Sequence, residues 1–124
     1  MADAGIVRNR LKIEAALANA RAALPVIEEY GSLGAFFWRF RPEAHASPRV
    51  RDDWVGQTAE SKAMAKELKK RGFSFVGPTT AYSTMQAAGI VNDHAAGCCV
   101  HGAVEAEQVE AAARFAIPPA RPFL

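Results

Sequence analysis

Apolar residues fall at helical spacing in successive stretches of the chain, which predicts an all-α fold, a helical bundle. Ile6 to Tyr30 reads as one long helix. Leu11, Ala15, Ala18 and Ala22 make an apolar stripe, with Leu17 and Leu24 beside it. Alanine, the strongest helix former, is abundant here. Pro25 is expected to kink or end this helix, because its ring crowds the carbonyl one turn back. Ser32 then caps a short helix through Phe40, with Leu33, Phe36, Phe37 and Phe40 in register and Trp38 on another face. Aromatics at this spacing read as core.

Arg41 to Gly56 breaks the pattern with Pro42, Pro48 and Gly56 and reads as a loop. Trp54 is expected to tack it to the body, and His45 to be a solvent-exposed loop histidine. Helical spacing resumes at Thr58, a cap for a helix ending at Arg71. Ala63, Met64 and Leu68 face inward there, and Lys62, Lys66 and Lys70 outward. A further helix runs from Pro78 to Ala88 on the stripe Ala81, Met85, Ala88, and Gly89 closes it. From Ala103 the alanine-rich run after Glu105, Glu107 and Glu110 predicts a helix to Phe115. Pro118, Pro119 and Pro122 then make an extended end. The organisation expected is a body over residues 1–100 and an acidic helical, then Pro-rich, tail over 101–124.

Length and charge narrow the partners. At 124 residues the chain is one small domain, and its formal charge is only +2. Any affinity for a polyanion must come from a local basic patch rather than a global field. No run of 18 apolar residues occurs, which argues against a membrane span, and the N-terminus lacks a secretory core; a cytoplasmic monomer is the expectation. Cys98 and Cys99 read as thiols or metal ligands rather than a disulfide framework.

The patch is local indeed. Glu60 to Arg71 carries five basic residues against two acidic ones. Cations suit the last turn of a helix, and Gly72 suits the left-handed position just beyond it. Phe73, Phe75 and Val76 are apolar enough to pin a short loop onto a core. Gly77 and Pro78 read as the cap and first residue of the next helix, and Thr79 and Thr80 offer amides in its opening turn. Helix, Gly-x-x-x-x-Gly hairpin, helix, with cations nearby, suggests a clamp for a nucleic-acid backbone without sequence readout. The alternative is an ordinary helical hairpin whose glycines only cap and whose lysines are a solvated face.

The segment KKRGFSFVGPTTAYSTMQAAGIVNDH closely resembles the DNA-3-methyladenine glycosylase I family of helix-hairpin-helix DNA glycosylases. So do Asp3 to Ala22 and the patch Phe36-Phe37-Trp38-Arg39-Phe40, so that the likeness spans roughly residues 2 to 99. It implies a helix-hairpin-helix motif at about residues 59–88. It further implies alkylated double-stranded DNA as partner and hydrolysis of the N-glycosidic bond of 3-methyladenine. The backbone of the DNA would be held by Lys70, Arg71, Gly72, Gly77, Thr79 and Thr80.

The resemblance also places a base pocket at Tyr82 and Ser83, and two ligands of a structural zinc at His94 and Cys98. On a helix those two ligands, four residues apart, would point the same way. The family's other two zinc ligands, its pocket carboxylate and most of its pocket aromatics belong to an N-terminal segment of Cys-Gly-Trp and Tyr-His-Asp-x-Glu-Trp-Gly type. The chain is expected to begin after it. Cys99 and His101 are the substitutes at hand for the missing ligands. Asp93 is the acid nearest the hairpin, either as a catalytic carboxylate or as a cap and support for His94. A non-catalytic, sequence-independent DNA-binding remnant, or a gene fragment, is the alternative function.

Overall fold

A computed structural model describes residues 1–115, and these form five α-helices and one 3-10 turn, with no strand. In chain order they are α1 (Arg10–Tyr30), α2 (Leu33–Trp38), the 3-10 turn Arg51–Asp53, α3 (Ala59–Lys70), α4 (Pro78–Ala87) and α5 (His101–Arg114). The expected extended end at Pro118, Pro119 and Pro122 lies outside the described residues. No helix of the described residues is long and apolar enough to cross a membrane.

The long helix starts later than Ile6, because Asn9 takes the cap: its side chain accepts from the Lys12 amide at 3.2 Å. Pro25 neither ends nor interrupts α1. The turns on either side of it bury Ala23 and Val26 against the body, and that packing holds the helix through the lost hydrogen bond. The apolar stripe also turns out differently. Ala15, Ala23 and Val26 face the core, whereas Leu11, Leu17 and Leu24 face out. Arg10 reaches Glu14 at 2.7 Å on this outer surface.

The core is one cluster of Val26, Phe36, Trp38, Phe40, Met64, Leu68, Tyr82, Met85, Ile90 and Val91 with small alanines between them. Ser32 caps α2 through the Ala35 amide at 2.9 Å, and the aromatic patch is buried as expected, Trp38 included. Phe36 meets the rings of Tyr30, Phe37 and Phe40 edge-on or tilted at 5.2 to 5.7 Å between centroids. α5 closes over this patch, setting Phe115 6.0 Å from Trp38. Gly34 makes room for it, since a Cβ there would lie 3.0 Å from the Phe115 ring.

Candidate functional site

The turn between α3 and α4 is built from two helix ends. Thr58 and Ser61 cap α3 reciprocally, so that its register is fixed from the start. At the other end Gly72 is left-handed (φ +93°), its amide reaches Lys69 O at 3.1 Å and the Phe73 amide reaches Leu68 O at 3.0 Å. This pair of bonds reverses the chain and presses Phe73 onto the core beside Leu68. Asn19 of α1 then grips Ser74 on both sides of its backbone, accepting from N–H at 2.8 Å and donating to C=O at 3.0 Å. Val76 packs back on the core.

Gly77 opens α4 in an extended conformation with no side-chain cap. The amides of Gly77, Thr79 and Thr80 meet no acceptor among the described residues, and both threonines are exposed. These unpaired donors carry the positive end of the helix dipole. Lys62, Lys66, Lys69 and Lys70 are exposed along α3.

Beyond the far end of α4 lies a polar knot. Gly89 (φ +70°) and Ile90 reverse the chain as Gly72 and Phe73 do, with Ile90 N to Met85 O at 2.9 Å. The turn delivers Asp93, its side chain only 11% exposed, into a set of donors. Tyr82 OH and Gln86 Nε2 donate to Oδ2 at 2.5 and 2.7 Å, His45 Nε2 sits 2.5 Å from Oδ1, and Trp54 Nε1 donates to the Asp93 carbonyl at 3.0 Å. Burial alone raises the Asp93 carboxyl, but the hydrogen bonds from Tyr82, His45 and Gln86 outweigh it and hold the group below the usual carboxylate range. Burial and the adjacent carboxylate push the Tyr82 phenol up, so the two groups settle as carboxylate and neutral phenol.

A cleft of about 630 Å³ opens beside this knot, lined among others by Trp54, Ser83, Gln86, Gly89, Asp93 and His94. His94 is exposed, and its Nδ1 lies 2.9 Å from Asn92 Oδ1.

With this geometry in hand, the comparisons decide the family. The family model for methyladenine glycosylase matches residues 1–101. The chain belongs to the methyladenine glycosylase family. It is 44% identical over 102 residues to DNA-3-methyladenine glycosylase 1 of Escherichia coli (strain K12), covering 80% of this chain and 54% of that protein. The Haemophilus influenzae enzyme is 40% identical over 101 residues, at 79% and 54% coverage. Among solved structures, one of 3-methyladenine DNA glycosylase I is 45% identical with a TM-score of 0.69, covering 80% of this chain and 56% of that one. The Staphylococcus aureus protein, solved for its recognition of 3-methyladenine, is 30% identical with a TM-score of 0.73, at 80% and 54% coverage. The fold is therefore that of the helix-hairpin-helix glycosylases, and the chain spans about half the length of the curated relatives it matches.

Within this methyladenine glycosylase frame, the residues singled out from sequence divide. Lys70, Gly72, Gly77, Thr79 and Thr80 gather around the turn between α3 and α4. Arg71 does not share their freedom. Its guanidinium donates to Glu29 at 2.7 Å, Glu67 at 2.9 Å and Tyr30 OH at 3.1 Å, and lies over the Tyr30 ring. Two carboxylates already neutralise it, so it braces α3 against α1.

Tyr82 is buried, and its hydroxyl serves Asp93 instead of lining the cleft. Ser83 does line the cleft, with its hydroxyl donating to Thr79 O. Asp93 neither presents a free carboxylate nor touches His94. Its two oxygens are engaged by Tyr82, His45 and Gln86, and Asn92 orients His94 in its place.

His94 and Cys98 lie in a loop between α4 and α5 rather than on a helix, because Gly89 has already ended α4 and the next helix begins at His101. Among the described residues no third His, Cys, Asp or Glu joins them as a metal-holding group, so these two alone do not fit a structural zinc. Of the substitutes, His101 is taken by Ser47 Oγ at 2.5 Å and Glu105 at 3.7 Å.

Sequence reasoning missed three residues. His45 is not a free loop histidine but the partner of Asp93. Asn92, 5% exposed, ties the loop together by donating to His101 O at 3.0 Å. Asn19 positions the hairpin. None of the three stands out by its spacing in the sequence.

Proposed function

We propose that this chain serves base-excision repair of alkylated double-stranded DNA by holding the sugar-phosphate backbone at the turn between α3 and α4. The reaction it serves is release of 3-methyladenine: water adds at the sugar carbon, the N-glycosidic bond breaks, and an abasic site remains. A methylated base is cationic before it leaves, so the protein needs a shaped pocket and modest electrostatic help rather than a strong acid. The observation that carries this reading is the uncapped, exposed start of α4 beside the lysine-bearing face of α3, in a chain of this family. Unpaired amides at a helix N-terminus are natural phosphate partners, and exposed lysines add sequence-independent affinity. The cleft that Ser83 lines supports this reading as space for a flipped base. Cytoplasmic location and action as a monomer belong to the same reading.

A second reading, DNA binding without turnover, is favoured by one observation. Of the two carboxylates that line the cleft, Asp93 is largely buried and already accepts three internal hydrogen bonds, and Glu107 is exposed on α5 with no partner among the described residues to aim it at a water. Incubation of the chain with methylated duplex DNA, followed by chromatography of released bases, separates the two. Free 3-methyladenine supports the enzyme. Salt-dependent binding without release supports the holding role alone. Absence of both defeats the proposal. His94 and Cys98 enter this reading as two of the four ligands a structural zinc needs.

A further inference from the structure

Phe75 stands at the tip of the turn between α3 and α4 in a left-handed conformation (φ +59°), the one non-glycine among the described residues with positive φ. A bulky side chain meets steric resistance there, and such residues persist where the surroundings over-determine them. The surroundings do so here. On one side Ser74 is locked by both Asn19 hydrogen bonds, and on the other Val76 is drawn onto the core. The ring stands outside the core, 59% exposed, while its apolar neighbours Phe73 and Val76 pack inward. It sits in the turn that follows the exposed Lys69 and Lys70 and two residues before Gly77, whose amide, like those of Thr79 and Thr80, is unpaired among the described residues.

We propose that Phe75 is an apolar DNA contact, its ring packing on the deoxyribose next to the phosphate that the α4 amides hold. The inference rests on the DNA-holding reading above and adds a residue to it. A phenyl group a few ångströms from a bound phosphate reaches the sugar, whose apolar faces flank the charged chain. The amides and lysines would fix the phosphate, and the ring would exclude water from beside it.

The test uses the full chain, a short mixed-sequence duplex and fluorescence anisotropy across a salt series, with Phe75→Gly and Phe75→Asn beside the wild type. Glycine and asparagine both tolerate the left-handed conformation, so each variant keeps the turn and loses the ring. Both are expected to melt no lower than the wild type, with Phe75→Gly a few degrees higher. Both should bind severalfold to about tenfold more weakly, the loss expected when a partly exposed ring no longer buries its surface against the sugar. The slope of log affinity against log salt should stay unchanged, whereas Lys69→Gln should make it shallower. Equal affinity of wild type and both variants overturns the Phe75 contact and leaves the amide clamp standing. A drop in melting temperature for both variants overturns it too, by showing that the ring serves the fold. A wild type that binds no DNA overturns the contact together with the reading beneath it.

Discussion

Asn19 and Ser74, 55 positions apart, hold each other through two hydrogen bonds, one to the Ser74 amide and one to its carbonyl. A single side chain on α1 thereby adds a third anchor to a turn already held by the reversed end of α3 and by Phe73 and Val76 on the core. Removing it as Asn19→Ala leaves the Ser74 backbone to water, which is at hand because the site is exposed. The stability cost is therefore modest, about 1 kcal/mol. The local effect is larger: amides around residues 73–76 are expected to exchange faster with solvent, and duplex DNA affinity to fall severalfold. Hydrogen exchange and anisotropy on one variant check both. Unchanged exchange would show that the two reversed helix ends suffice to hold the turn.

Asp93 performs the corresponding task at the far end of α4. Tyr82 and Gln86 come from α4, and His45 and Trp54 come from the loop between α2 and α3. Asp93→Ala takes the acceptor from Tyr82, His45 and Gln86, of which the first two are part-buried, while the Trp54 bond to the backbone carbonyl remains; the expected cost is about 3 kcal/mol. The sign of the pH effect follows from the depressed carboxyl. Its stabilisation is fully present above the ordinary value of 3.8 and is lost as pH falls below that, through the lowered value in the folded state. An acid melt of the wild type should thus steepen below that point, and Asp93→Ala should flatten it.

Helix ends and core were legible in the sequence because their causes are local. Gly72 and Gly89 follow apolar repeats at the spacing of a reversed helix end, and Thr58 stands just before one. The aromatic run after Ser32 announces a buried patch in the same way. What escaped was set by distance. His45 lies 48 positions from Asp93, in a loop with no periodicity to orient it. Arg71 looked like one more cation of a basic stretch, and only the fold brings Glu29 from α1 to meet it. Pro25 shows the reverse case, a local rule overridden by burial on either side. The outward turn of Leu17 and Leu24 could not be read at all, since an alanine-rich helix offers more than one apolar face.

The packing of α5 makes a separate prediction. Its Phe115 ring lies against Trp38 and fills the space over Gly34. Phe115→Ala removes a partly buried ring at the end of the helix, and a loss of about 2 kcal/mol is expected, below that for a fully buried phenylalanine. The uncovered Trp38 should also shift its emission to the red. A variant with unshifted emission and an unchanged melt would mean that the Phe115 ring contributes nothing to the body.

Zinc offers the last test, and the donor set decides its outcome. Structural zinc takes four ligands, and two cannot hold it against water and competing thiols. His94 and Cys98 supply two. His101 is engaged by Ser47 and Glu105, and the Asn92 bond to His94 Nδ1 leaves Nε2 as the one ring nitrogen of His94 for a metal. Residues 116–124 contain no His, Cys, Asp or Glu to add. The purified chain is therefore expected to carry well under one zinc per molecule by elemental analysis. A chelator should leave its melting temperature unmoved, and Cys98→Ser should melt with the wild type. Adding a peptide that supplies one cysteine and one histidine should raise zinc retention in the wild type and not in Cys98→Ser. Stoichiometric zinc in the chain alone would mean instead that Cys99 or His101 leaves its present position to complete the set, and the loop from Asn92 to Val100 would have to rearrange to allow it.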